Sequence, residues 1–393
     1  MQIDRILAST WPTATARPLT AAGMESRDSV HLQGLPESMR LYEPRGPADL
    51  KHTCVIGSFE FTPDGTHILT TQWDDEVRLW DLAGGEPAVE VLPREERERV
   101  GPGTVSPDGR TMAVGYDDGV IRILDRSGAE RFRIRHSDPE APAEVSKWYG
   151  WESCRTVAFS PDSSVLASGG QDLNLCLWEA ATGQLKARLD NGDWVCQLSW
   201  SPDGSRLFAR TRHAVNVWNT ATLELVASFK DPNPEPIGGG DMSLSRDGRR
   251  LAVVFTDHVQ VFDTESGADL GRQAVRGAHR VAVSPDGQNV LIGQAIKNAV
   301  TVWNLPTGEV ERQELPHEDA HGGGGIRQMG FSPDGQKLAI SLLDYSLTLW
   351  VHRPEKTELG YLAGHLREGN GNQVRRVGDY VLVGSVRLPV RKR

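Results

Sequence analysis

The chain repeats itself. Its clearest copies read FSPDSSVLASGGQDLNLCLWEAATG at 159–183, WSPDGSRLFARTRHAVNVWNTATL at 200–223 and FSPDGQKLAISLLDYSLTLW at 331–350. Turn aspartates mark the period: Asp64, Asp108, Asp162, Asp203, Asp247, Asp286 and Asp334. A repeat of roughly 40–45 residues constrains the fold more than any single motif, because one such unit cannot bury its own apolar face and has to stack on copies of itself.

Within one copy the local chemistry is that of strands and tight turns. RTVAFS (155–160) is a short β-rich run, and Pro161-Asp162-Ser163-Ser164 is a turn. Most other copies write the turn Pro-Asp-Gly, at 63–65, 107–109, 202–204, 285–287 and 333–335. Pro presets φ, Asp suits the next position and Gly takes the left-handed one after it. VLASGG then reads as a strand covered on both faces, LCLWEA as an alternating strand carrying Trp178, and LKARL as an edge strand beyond the Thr182-Gly183 turn. Four strands in about 40 residues make one blade of an all-β propeller.

Seven turn aspartates give seven blades, and the two ends supply material for another. MRLYEP (39–44) aligns with VRLWDL (77–82), with Tyr42 in the Trp place, while QVRRVGDYVLVGSV (373–386) reads as two strands. Pairing the termini removes exposed sheet edges. The expected architecture is eight four-stranded blades closed by N- and C-terminal strands, with seven blades the alternative. Residues 1–38 are then an extension, flexible or docking, 39–386 the propeller, and 387–393 (RLPVRKR) a basic tail.

Composition narrows the function classes. Net charge is −10, from 43 basic and 53 acidic residues, which argues against a nucleic-acid binder in need of a basic footprint. No apolar run reaches the length of a membrane span, and the N-terminus lacks an apolar signal core, so a cytoplasmic protein is expected. Cys54, Cys154, Cys176 and Cys196 show no C-x-x-C spacing and read as reduced thiols; a Cys154–Cys176 disulfide is the alternative.

The recurring F-S-P-D-G…L-A-x-G…D…L-W-D pattern resembles the WD-repeat family of propellers over residues 39–386, and its regularity resembles bacterial members. The resemblance implies a hydrogen-bonded set in each blade, made by a His, a Ser or Thr, an Asp and the Trp. Here it implies Thr70, Asp74 and Trp80 in one blade and Ser168, Asp172 and Trp178 in another, with no Gly-His evident for the second. The one clear Gly-His is Gly364-His365, and Arg212 and His213 occupy the place of a turn Asp.

The resemblance also implies a non-catalytic scaffold or sensor that binds proteins or peptides on its top face, as one subunit of a signalling, defence or multi-subunit assembly. The spacing from Asp108 to Asp162 is 54, against 39–48 elsewhere, and the inserted loop carries Trp148, Tyr149 and Trp151. Long loops and aromatic residues are common binding features. With Trp73 and Trp194 they form the expected partner site. The alternative is a propeller enzyme or a small-ligand binder using the central channel. Against it, VAFS, QLSW, MSLS, VAVS and MGFS present small and apolar residues with Ser, so Asp, Glu and His look scarce there. His317, Glu318, Asp319 and His321 precede four glycines and read as a loop, and Gly238–Gly240 lacks the Lys-Ser/Thr of a phosphate cradle. No metal, cofactor or catalytic residue is expected, no nucleic acid or membrane is expected as partner, and self-association is left open.

Overall fold

A computed structural model of the chain describes residues 42–44, 56–72, 76–82, 87–92, 100–136, 154–230, 240–295, 299–314, 325–343, 347–352, 374–377, 380–383 and 386–389. Among these residues the regular structure is all β-strand, in seven four-stranded sheets and one three-stranded sheet. Six sheets are antiparallel meanders, 56–92, 100–135, 154–190, 197–230, 242–274 and 278–314. The seventh takes three strands from 326–352 and its fourth, Tyr42–Pro44, from the other end of the chain.

The expectation of eight four-stranded blades is corrected here. Tyr42 lies opposite His352 and Pro44 opposite Trp350, so the N-terminal strand is the outer strand of the seventh sheet and not the third strand of an eighth. Pro44 fits that place, since an edge strand can spare an N–H. Val374–Val377, Tyr380–Val383 and Val386–Pro389 pair only with one another among the described residues. The last of these strands, Val386–Pro389, runs past residue 387, where the tail is expected to begin.

The Ser-Pro-Asp-Gly turn is a polar network as well as a backbone preference. Ser160 Oγ donates to Asp162 Oδ1 at 2.5 Å, Ser164 N donates to the same oxygen at 3.0 Å, and Val165 N donates to Ser160 Oγ at 2.9 Å. The same three bonds recur at Ser106/Asp108, Ser201/Asp203, Ser245/Asp247, Ser284/Asp286 and Ser332/Asp334. Thr62/Asp64 repeats them with a threonine. The serine hydroxyls hold the Asp162 and Asp203 carboxyls down to about 2. The next residue has φ near +70°, as in Gly204 at +72°; Ser163, at +63°, is the one position in the set without glycine.

Burial is greatest in the second strands and least in the fourth. Thr111–Tyr116 is buried throughout, whereas Leu185–Asp190 is exposed at both ends. The core therefore lies between sheets. One apolar cluster joins each neighbouring pair from the first and second to the sixth and seventh. A further cluster joins Ala339, Leu347 and Leu349 of the seventh sheet to Ile56, Phe59 and Trp80 of the first.

Polar clasps link the first strands in the same cyclic order. Gly103 N donates to Ser58 Oγ, Leu198 N to Thr156 Oγ1, Val281 N to Asp241 Oδ2 and Val283 N to Ser243 Oγ, each at 3.0–3.1 Å. The Gln197 amide both accepts from and donates to the Met242 backbone, at 2.8 and 2.9 Å. Gln328 does the same to Phe59, at 2.8 and 2.9 Å, joining the seventh sheet to the first. The first strands are thus the inner ones, and each satisfies backbone groups that the next sheet would otherwise bury unpaired.

Candidate functional site

Antiparallel register places the start of each inner strand beside the end of the second strand, as with Cys154 opposite Gly170 and Ala278 opposite Gln294. Inner-strand entries and second-to-third-strand turns therefore share one end of the molecule, the top face. The Ser-Pro-Asp turns lie at the other end.

In the third sheet a buried chain of hydrogen bonds runs toward this face. Trp178 Nε1 donates to Ser168 Oγ at 2.7 Å. Ser168 Oγ lies 2.8 Å from His136 Nδ1, and His136 Nε2 lies 3.0 Å from Asp172 Oδ1. An indole N–H can only donate, so the serine proton is left for Nδ1 and the imidazole N–H for the carboxylate. Burial works to raise the Asp172 pKa, but the bonds from His136 and Asn174 outweigh it and hold the carboxyl below its usual range. His136 was missed in the sequence because no glycine precedes it. Its position, immediately after the outer strand Glu130–Arg135 of the preceding sheet, was the available signal.

The same position varies with its target. Asn191 follows the outer strand Leu185–Asp190, and its Oδ1 accepts from Trp218 Nε1 at 3.0 Å. The second-strand counterpart of Ser168 there, opposite Asn216, is Ala209, which has no hydroxyl. Val275 follows Asp269–Ala274 and packs into the cluster that holds Trp303. In the first sheet Trp80 Nε1 donates to Thr70 Oγ1 at 2.8 Å. Asp74 and His365 lie outside the described residues, as do Trp73, Trp148, Tyr149 and Trp151.

Trp194 is half-buried at the entry of the fourth sheet. The Arg212 guanidinium stands 4.5 Å from its ring centroid and bonds Asp193 Oδ1 through Nε at 2.9 Å and Nη2 at 2.8 Å. Stacking plus an ion pair fixes the arginine plane across the indole. Beside this pair Asn191 N donates to the Leu173 carbonyl at 2.9 Å. Leu173 is 37% exposed and adopts φ +67°, an unfavourable backbone state for a branched residue. Gln171, with its amide turned to accept, takes Arg155 Nη2 at 2.7 Å.

The inner-strand entries at the top face are more polar than the apolar segments that follow them. Strand entries carry Arg155, Asp241, His279, Arg280 and Arg327, upstream of the VAFS, MSLS, VAVS and MGFS segments. Asp241 and Glu60 are both pushed up by burial, Glu60 to about 7. Each is committed to the neighbouring sheet: Asp241 accepts from Val281 N, and Glu60 from Thr104 and Val105. Cys154 and Cys176 are free and buried, with no disulfide between them, and burial pushes the Cys154 thiol upward.

A cleft of about 600 Å³ lies at the opposite end, between the third and fourth sheets, lined by Pro161, Leu177, Trp200, Pro202 and Leu223. Its two carboxylates, Asp162 and Asp203, are already held in their own turns. Among the described residues no cluster of His, Cys, Asp or Glu has metal-binding geometry, and no helix is long and apolar enough to cross a membrane.

The family model described as "WD domain, G-beta repeat" matches residues 49–81 and 143–179. The first match spans the inner hairpin of the first sheet with Trp80, and the second spans the Ser168–Trp178 sheet. Together with the four-stranded sheets and the Trp–Ser–His–Asp chain, these matches support a WD-repeat β-propeller.

Proposed function

We propose that this protein is a non-catalytic interaction platform, built as a ring of seven blades, that binds a protein or peptide partner on its top face. The supporting observation is the Trp194–Arg212–Asp193 group with the exposed, left-handed Leu173 beside it. Trp and Arg dominate binding energy at interfaces, and a strained exposed residue points to function. Propellers of this family generally serve as protein-interaction scaffolds, and the regular Ser-Pro-Asp-Gly turns favour a place in a bacterial assembly. Buried free thiols favour a reducing, cytoplasmic compartment. The channel carboxylates support the non-catalytic reading, because Glu60 and Asp241 sit on the first and fifth sheets and each satisfies a neighbouring strand.

The test is affinity capture from the native cell with the intact chain, a Trp194→Ala/Arg212→Ala variant, and a Lys186→Ala/Leu223→Ala control at the lower cleft. A stoichiometric partner lost only with the first variant supports the platform. A partner retained by that variant removes the top-face assignment, and so does a partner lost only with the control.

A further inference from the structure

Arg280 and Arg327 lie on neighbouring inner strands at the channel mouth. Arg280 Nε donates to the Arg327 carbonyl, and Arg280 Nη1 reaches the His279 carbonyl at 3.4 Å. Among the described residues Arg280 makes no ion pair. The adjacent acid, Asp241, has both carboxylate oxygens taken by backbone donors, Oδ1 by Met242 N and Oδ2 by Val281 N, each at 3.0 Å; burial raises its pKa and the Arg280 charge works against that rise. Burial and then the Arg280 charge lower the Arg327 pKa; burial, Arg280 and Arg327 together bring His279 down to about 4. Two guanidinium groups, Arg280 and Arg327, are therefore neighbours at one rim of a protein whose net charge is −10, with the uncharged His279 imidazole beside them. Like charges so placed repel, and an anion seated among them turns that repulsion into attraction.

We propose that Arg280, flanked by Arg327 and His279, receives an acidic side chain of the partner polypeptide, a carboxylate or a phosphate, at the channel mouth. This rests on the platform reading and names the chemistry of its ligand. The backbone carbonyls hold the guanidinium through Nε and Nη1, so its plane is fixed before the ligand arrives. A planar fork of this kind suits two oxygens of one anion. Trp194 and Arg212, on the fourth sheet, would contact a different part of the same partner.

The test is fluorescence anisotropy of labelled heptapeptides on the full chain: one with three aspartates, one with phosphoserines in their place and one neutral. Arg280→Gln is expected to weaken the acidic peptides about ten- to hundredfold. Arg280→Lys, which keeps the charge and loses the fork, is expected to fall between it and the unaltered protein. Arg249→Gln, the same charge change in a lower-face turn, is expected to shift affinity less than about twofold. The ratio between the two acidic peptides tells carboxylate from phosphate, and inorganic phosphate competes only in the second case. Circular dichroism confirms that each variant is folded.

Equal affinity for acidic and neutral peptides overturns the proposal. So does an Arg280→Gln variant, or a folded Arg280→Lys variant should Arg280→Gln not fold, that binds acidic peptides as tightly as the unaltered protein. The two readings fail separately. Loss of partner capture with Trp194→Ala/Arg212→Ala but not with Arg280→Gln leaves the platform and removes the anion site. Arg280-dependent acidic binding without Trp194-dependent capture does the reverse.

Discussion

Ser168→Ala tests the buried chain in the third sheet. The substitution removes one oxygen, which accepts from Trp178 and faces His136 Nδ1. Ser168 and His136 are both fully buried and Trp178 is 6% exposed, so water cannot replace either bond. Each stranded buried group costs about 1–3 kcal/mol, which gives about 2–6 kcal/mol for the pair. Thr70→Val in the first sheet strands only the Trp80 N–H and keeps the volume, so about 1–3 kcal/mol is expected. The assay is urea denaturation followed by tryptophan fluorescence and far-ultraviolet dichroism, whose coincidence checks for a single transition. A Trp178→Phe variant and the double variant complete a cycle, and coupling of at least about 0.5 kcal/mol is expected for groups in contact. If Ser168→Ala costs no more than Thr70→Val, His136 does not draw on the serine. If the cycle shows no coupling, the directed chain from indole to carboxylate is wrong.

Glu60 gives a pH prediction of opposite sign to that of an ordinary carboxylate. Folding raises its pKa from 4.5 to about 7, so the folded protein holds a proton there that the unfolded chain releases, and stability falls as pH rises across that window. The ceiling is about 3 kcal/mol, because the side chain keeps some contact with water; Glu60→Gln should flatten the slope of melting temperature between pH 5 and 8, and an unchanged slope would exclude Glu60 as its source. The depressed turn aspartates, including Asp162 and Asp203 at about 2, act the other way, with stability complete above pH about 4 and lost as pH falls through their folded values. Acid titration of Asp162→Asn should show a shallower loss. Gly169→Ala would bring a methyl within 2.3 Å of Val195, just before the first strand of the next sheet, so destabilisation of about 1–3 kcal/mol is expected by denaturant midpoint. Ser163 accepts from Asp108 N at 3.0 Å while holding a positive φ, so Ser163→Ala should destabilise by about 1 kcal/mol. Ser163→Gly should come out near neutral, because relief of the backbone offsets the lost bond.

Features set by neighbours along the chain were legible. The Ser-Pro-Asp-Gly turn closes its hydrogen bonds within five residues, and the Trp178–Ser168 bond spans ten. Features set by contact between repeats were not. His136 reaches Ser168 from the preceding sheet, and only its place just after the outer strand Glu130–Arg135 marks it, since no glycine precedes it. The polar strand entries were hidden because the repeat pattern begins at the apolar half of the inner strand, after Arg280 and Arg327.

The blade count shows the division most clearly. MRLYEP carries a third-strand pattern, yet Tyr42–Pro44 forms the outer edge of the seventh sheet. Either place satisfies the local preference of those residues, and only the free edge at Leu347–His352 decides between them. By itself the sequence determined the repeat, the turns and the strand order within each blade, since these rest on backbone preferences and bonds of short span. The tertiary structure decided which sheet edge takes Tyr42–Pro44, which distant side chain completes each buried network, and which charges lie together at the strand entries. Those outcomes depend on groups such as Gln328 and Phe59, 269 residues apart, which only the packed sheets bring within bonding distance.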